Sequence, residues 1–236
     1  MTSKADASVT LVCLPFAGAG ASFFRPWAAL AGEAIEILAP QLPGRERRID
    51  DQPHRDVPAA IEEVLPGLPA RLAQRRSLVL FGHSLGAVLA YELAYRLTSR
   101  GDDVAGLVVS GSPGPWTPRE RRATGLPEEE FLLRVQEFAG YSHEALADEE
   151  MRQLILPTLR ADVAMHESYL PSDDAPLPVP IISLRGREDH LVSSEQAGQW
   201  AAVTSKDFTL VEVPGGHMYL TRGAEPVLRH VETFAA

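Results

Sequence analysis

Six short apolar runs punctuate this chain, at residues 9–14, 34–39, 77–81, 106–110, 179–184 and 208–213. Rich in Val, Leu and Ile, they read as strands buried within a sheet. Between them apolar positions recur at helical spacing, around 57–74, 84–100, 193–203 and 224–234. Pro66 and Gly67 should break or kink the first of these helices. Strands alternating with helices predict a mostly parallel central sheet flanked by helices, an α/β architecture. The chain has 236 residues and is 45% hydrophobic. That is enough for one large core, and residues 1–236 read as a single domain.

The alternation stops between about residues 113 and 178, where no strand pattern occurs. Pro113, Pro115 and Pro118 open this stretch, and Pro176, Pro178 and Pro180 close it. Inside it, Phe131, Leu132, Val135 and Phe138 share one face of a predicted helix over 126–138. A second helix is predicted over 148–170. A helical insertion between two strands reads as a lid over an active site.

The third apolar run leads into Phe81-Gly82-His83-Ser84-Leu85-Gly86, and a helical pattern follows at once. This is the G-x-S-x-G nucleophile elbow, in which a sharp strand-to-helix turn pushes the serine hydroxyl out of the sheet. The five-residue motif alone is only suggestive; the flanking strand and helix give it weight. Serine is a weak nucleophile at neutral pH and needs a base, itself oriented by an acid. The usual order along such a chain is Ser, then Asp or Glu, then His. After the fifth run comes Arg185-Gly186-Arg187-Glu188-Asp189-His190, and after the sixth comes Pro214-Gly215-Gly216-His217-Met218. Ser84 is therefore the expected nucleophile, His217 the general base and Asp189 its orienting acid. Glu188 is the rival acid, and Asp189 could instead cap the following helix. His190 adjoins the acid too closely to bridge it to the serine. His83 should point away from Ser84 and pack behind it. His54, His143 and His230 read as surface residues, and His166 as a helix residue able to face the pocket.

An oxyanion hole needs two donors. The N–H of Leu85, directly after the serine, is one. The second should come from the loop after the first strand, Pro15-Phe16-Ala17-Gly18-Ala19-Gly20, with Ala17 or Phe16 as donor. That loop lacks the Lys-Ser/Thr of a phosphate-binding loop, and its glycines do not match a dinucleotide fingerprint. No Cys/His spacing suggests a metal, so neither metal nor cofactor is expected.

The formal charge of −10, from 22 basic and 32 acidic residues, disfavours nucleic acid and anionic membranes as partners. No run is apolar enough to span a bilayer, and the first residues lack a signal-peptide core. The single cysteine, Cys13, allows no internal disulfide. A cytoplasmic protein is the expectation.

Five passages together resemble the type II thioesterases, free-standing α/β-hydrolases that serve polyketide synthases and nonribosomal peptide synthetases. They are Leu14-Pro15-Phe16-Ala17-Gly18-Ala19-Gly20, Gln41-Leu42-Pro43-Gly44-Arg45-Glu46, the Ser84 elbow, Leu159-Arg160-Ala161-Asp162 and Gly215-Gly216-His217-Met218-Tyr219-Leu220. The Gly18-Ala19-Gly20 stretch departs from the paired glycines of many relatives, which leaves the second oxyanion donor open. The resemblance implies hydrolysis of acyl thioesters held on the phosphopantetheine arm of an acyl or peptidyl carrier protein, met transiently, by an enzyme expected to be monomeric. Residues of the predicted lid, such as Phe131, Phe138 and Met165, are expected to shape the acyl pocket. Two arginine groups, Arg45/Arg47/Arg48 and Arg119/Arg121/Arg122, are candidates for meeting the carrier or the pantetheine phosphate. The alternative reading is a carboxylesterase or lipase of small oxygen esters, which would use the same triad. A non-catalytic hydrolase-fold binder is disfavoured by the intact triad residues. A chain-releasing thioesterase is disfavoured by a chain that starts at Met1 with no attached carrier domain.

Overall fold

The six apolar runs pair into one sheet. Its strands are β1 (Val9–Leu14), β2 (Ile35–Leu38), β3 (Ser77–His83), β4 (Gly106–Ser110), β5 (Ile181–Gly186) and β6 (Phe208–Val213). The structure is a computed structural model that describes residues 8–68, 77–139, 146 and 148–235. The strand order is β2-β1-β3-β4-β5-β6, and all five neighbouring pairs are parallel. β3 and β5 each run two residues past the apolar pattern. His83 pairs with Ser110, and Gly186 with Val213, so the ladder continues through residues that hydropathy does not mark.

The helices are α1 (Trp27–Leu30), α2 (Val57–Val64), α3 (Leu85–Ser99), α4 (Glu128–Ala139), α5 (Glu149–Glu167), α6 (Ser194–Gly198) and α7 (Glu225–Val231). Alternate side chains of each strand point to opposite faces. Val12, Leu14, Leu80, Leu107 and Val109 therefore pack with α2 and α3. Leu11, Cys13, Phe81, Val108 and Leu184 pack with α1 and α7 on the other face. Cys13 is fully buried there, and burial pushes its thiol well above the usual range. The predicted first helix ends as a 3-10 turn at Leu65–Gly67, where Pro66 stands. Its expected continuation from residue 69 lies outside the described residues, as do residues 140–145, with His143, and residue 147.

Between β4 and β5 the chain contributes α4 and α5, with a small apolar cluster of their own (Ala123, Phe131, Leu146, Leu156, Leu159, Val163). Asp148 caps α5 by accepting the Met151 N–H at 2.9 Å. Among the described residues no helix is long and apolar enough to cross a membrane.

Candidate active site

After β1 the chain moves to β2 on one side and then returns to β3 on the other. The carboxyl ends of β1 and β3 thus flank a topological switch point, where parallel sheets open a binding crevice. Both sequence-predicted pieces lie there: the Pro15–Gly20 loop after β1 and Ser84 after β3. Ser84 adopts φ 53° and ψ −116°. Such a conformation costs a non-glycine residue about 1–3 kcal/mol and persists only where its surroundings hold it. They do so tightly. The Ser84 N–H donates to the Ser110 carbonyl at 2.8 Å. A Cβ on Gly82 would lie 1.8 Å from the Gly86 carbonyl oxygen, and one on Gly86 would lie 2.4 Å from the Leu14 carbonyl oxygen. The two glycines let the start of α3 press onto the end of β1. The start of α3, whose first N–H groups have no intrahelical acceptor, thus lies against the Leu14 and Pro15 carbonyls at the beginning of this loop.

Asp189 and His217 come together at the ends of β5 and β6. His217 Nδ1 lies 2.8 Å from Asp189 Oδ2, with the carboxylate fully enclosed and the imidazole 10% exposed. Burial works against the Asp189 charge. The hydrogen bond and charge of His217, with two backbone donors, outweigh it and hold the carboxyl below its usual range. Those donors are Leu191 N–H at 2.8 Å and Val192 N–H at 3.1 Å, both on Oδ1. The rivals resolve geometrically. Glu188 accepts the Gly215 N–H and so shapes the histidine loop without touching His217. His190 is exposed. The helix cap falls to Ser193, which forms a capping box with Gln196.

His83 is buried behind His217, with ring centroids 4.8 Å apart. Its Nδ1 is 2.9 Å from Ser110 Oγ, which is 2.7 Å from the Tyr219 hydroxyl. Burial, then the neighbouring His217 charge, keeps His83 well below the usual histidine range. A neutral imidazole therefore backs the His217 ring.

Sequence reasoning missed how the loop after β1 is held. Arg45 makes a buried two-pronged ion pair with Asp162 of α5, at 2.8 Å for each bond. The same guanidinium donates to the Ala19 carbonyl at 2.9 Å, and Asp162 accepts the Gly18 N–H at 2.8 Å. Glu46, at φ 51°, reaches back to accept the Ser22 N–H at 2.9 Å. The Pro43-Gly44-Arg45-Glu46 and Leu159-Arg160-Ala161-Asp162 passages are thus two sides of one bracket around the Pro15–Gly20 loop. Arg45 is not a surface cation, and Arg48 is engaged with Asp51 and Glu63, so only Arg47 of that group faces outward. His54 likewise pairs with Glu63, at 2.8 Å.

Phe131 and Phe138 pack in the insertion's own apolar cluster, which abuts Ala17. Met165 is buried in the main core and lines a cleft with Val57, Pro58 and Tyr169. Among the described residues no group of His, Cys, Asp and Glu could hold a metal ion.

A parallel sheet carrying a strained serine elbow after β3, with an imidazole–carboxylate pair at the ends of β5 and β6, is the architecture of the α/β-hydrolases. Within that class, a model of the thioesterase-domain family matches residues 9–235, and the chain belongs to that family. A probable cadicidin biosynthesis thioesterase of Streptomyces griseus is 34% identical over 229 residues, covering 95% of this chain but 62% of that relative's length. Thioesterase PikA5 of Streptomyces venezuelae is 35% identical over 216 residues, 91% of this chain and 76% of the relative. Among solved structures, the type II thioesterase BorB from the borrelidin biosynthetic cluster has a TM-score of 0.85 at 32% identity, covering 98% of this chain and 92% of that one.

Proposed function

We propose that this chain hydrolyses acyl thioesters on the phosphopantetheine arm of carrier proteins, clearing stalled or aberrant units in polyketide or nonribosomal peptide synthesis. The observation that carries the proposal is the His217–Asp189 pair at 2.8 Å at the same sheet edge as the strained Ser84. Membership of the thioesterase-domain family gives the chemistry its substrate class. Ser84 attacks the thioester carbonyl as His217 Nε2 takes its proton, with Asp189 fixing the tautomer and stabilising the imidazolium. The N–H groups of Leu85 and of Ala17, or Phe16 in its place, hold the oxyanion. The imidazolium then protonates the departing pantetheine thiol. Water activated by His217 attacks the acyl-serine, and the acid leaves as Ser84 recovers its proton.

The insertion roofs this site, and Phe131, Phe138 and Met165 shape the acyl chamber. The carrier protein docks transiently on a monomer in the reducing cytoplasm. The test is one acyl group presented three ways: on a carrier protein, on a short pantetheine-like thiol and as an oxygen ester. The carrier-bound thioester should show the highest kcat/KM, and Ser84→Ala should lower it by about 10³-fold or more. An oxygen ester cleaved equally well would replace this reading with a general esterase.

A further inference from the structure

Arg119 differs from its neighbours Arg121 and Arg122, which are exposed. It turns inward beneath α5. Its Cζ stands 5.9 Å from the centre of the Tyr169 ring, and its Nη2 donates to the Pro113 carbonyl at 3.3 Å. Its Nε and Nη1 are enclosed and have no hydrogen-bond partner. Among the described residues no carboxylate lies within ion-pair distance of it. The Tyr169 beneath it donates its hydroxyl to Glu92 at 2.9 Å, and Glu92 also accepts the Ser172 N–H at 2.9 Å.

Three residues before Tyr169, in the last turn of α5, His166 presents an enclosed Nε2 that also lacks a partner. Burial, then the charges of Arg119 and His217, push His166 down to about 3, so it is neutral and lies within electrostatic reach of both. Desolvation also pulls Arg119 down to about 10, which leaves it fully charged at neutral pH. Folded chains rarely bury a cation and leave its donors unused. Here three enclosed polar atoms, Arg119 Nε and Nη1 and His166 Nε2, are left unused on either side of Tyr169 in the chain.

We propose that Arg119 and His166 form a recognition site for an anionic oxygen of the substrate. Its source is either a carboxylate on the acyl group or the phosphate of the pantetheine arm. A planar guanidinium with two free donors suits either one. The inference rests on the thioesterase reading for its substrate, but the site itself can be tested without it.

Propionyl, malonyl, hexanoyl and adipoyl thioesters would each be prepared on N-acetylcysteamine, pantetheine and phosphopantetheine. They would be assayed with the wild type, Arg119→Gln, Arg119→Lys and His166→Gln. For one anionic series, Arg119→Gln should lower kcat/KM at least about tenfold more than for the neutral N-acetylcysteamine series. Arg119→Lys should recover part of that preference. A selective loss on malonyl or adipoyl substrates places the carboxylate at the site, and one on phosphopantetheine substrates places the phosphate there. Equal losses on every substrate, or none, would overturn the proposal. A thermal-shift titration with inorganic phosphate and with adipate gives a readout independent of turnover. Either anion should stabilise the wild type and not Arg119→Gln, even if no thioester proves to be a substrate. No shift with either anion, together with unchanged selectivity, would leave Arg119 as packing alone.

Discussion

At the scale of single residues, the molecule spends buried charge on positioning backbone. Asp162 satisfies the Arg45 guanidinium and the Gly18 N–H at once, and Arg45 adds the Ala19 carbonyl. A buried ion pair need not stabilise a fold relative to apolar residues, yet breaking one side of it leaves an uncompensated charge and is costly. Asp162→Ala should therefore lower unfolding free energy by about 3–5 kcal/mol. Asp162→Asn, which keeps the shape but loses the charge, should lose less. On the proposed mechanism both variants should lower kcat more than they raise KM for a short thioester, because they release the Pro15–Gly20 loop proposed to carry the second oxyanion donor. Denaturant unfolding and steady-state kinetics check the two halves separately. Intact kcat in a destabilised Asp162→Asn would show that the bracket holds the fold and not the loop.

At the scale of elements, α5 is the piece that is tied down. Its Asp162 grips the loop after β1. Its Glu167 accepts the N–H groups of Arg122 and Ala123 at 2.9 Å each and of Thr124 at 2.8 Å. Glu92 of α3 holds Tyr169 and Ser172 just past its end. A carboxylate that accepts several backbone donors acts as a local staple, and removing it leaves the buried Ala123 N–H unsatisfied. Glu167→Ala should cost about 1–3 kcal/mol and free the segment around Arg119–Thr124. Trypsin should then cut after Arg121 or Arg122 about tenfold faster than in the wild type, with cleavage sites read by mass spectrometry. Unchanged cleavage would mean that α5 is not what holds this segment.

Five of the strands were legible in the sequence because they are buried on both faces, so hydropathy alone marks them, whereas β6 at the sheet edge is half-buried and still carries the apolar Phe208, Leu210, Val211 and Val213. The elbow and both later loops were legible because strained turns and strand-end chemistry leave local signatures. The staples were not. Asp162, Glu167 and Glu92 look like ordinary helix charges until burial pairs them with groups more than 40 residues away. Asp162 did carry one signal: it follows Leu159 by three residues and precedes Val163 and Met165, so it falls among the apolar positions of its helix. Arg45 and Arg119 read as members of surface basic groups, because sequence spacing does not show which arginine of three turns inward.

At the scale of the whole molecule, stability should report the buried histidine behind the His217 ring. His83 is fully buried and is held neutral by desolvation first and His217 second. In the unfolded chain its pKa returns to about 6.5. A group whose folded pKa is depressed leaves the unfolded state binding more protons as pH falls, so stability is full above about 6.5 and drains below it. Between pH 7.5 and 5.5 this one residue should remove about 1.4 kcal/mol of unfolding free energy. His166 acts in the same direction, whereas the depressed Asp189 carboxyl contributes its loss only below about pH 4. The formal charge of −10 works oppositely, since added protons relieve self-repulsion, so the bare wild-type profile mixes the two effects. A difference between variants separates them. His83→Asn can still meet Ser110 but carries no titrating ring. Urea unfolding of the wild type and His83→Asn at both pH values should show a pH-dependent loss about 1.4 kcal/mol smaller in the variant. Equal losses in the two proteins would mean that the ring behind His217 accepts a proton in the folded state, and that His217, the proposed general base, sits beside a charge and not a neutral support.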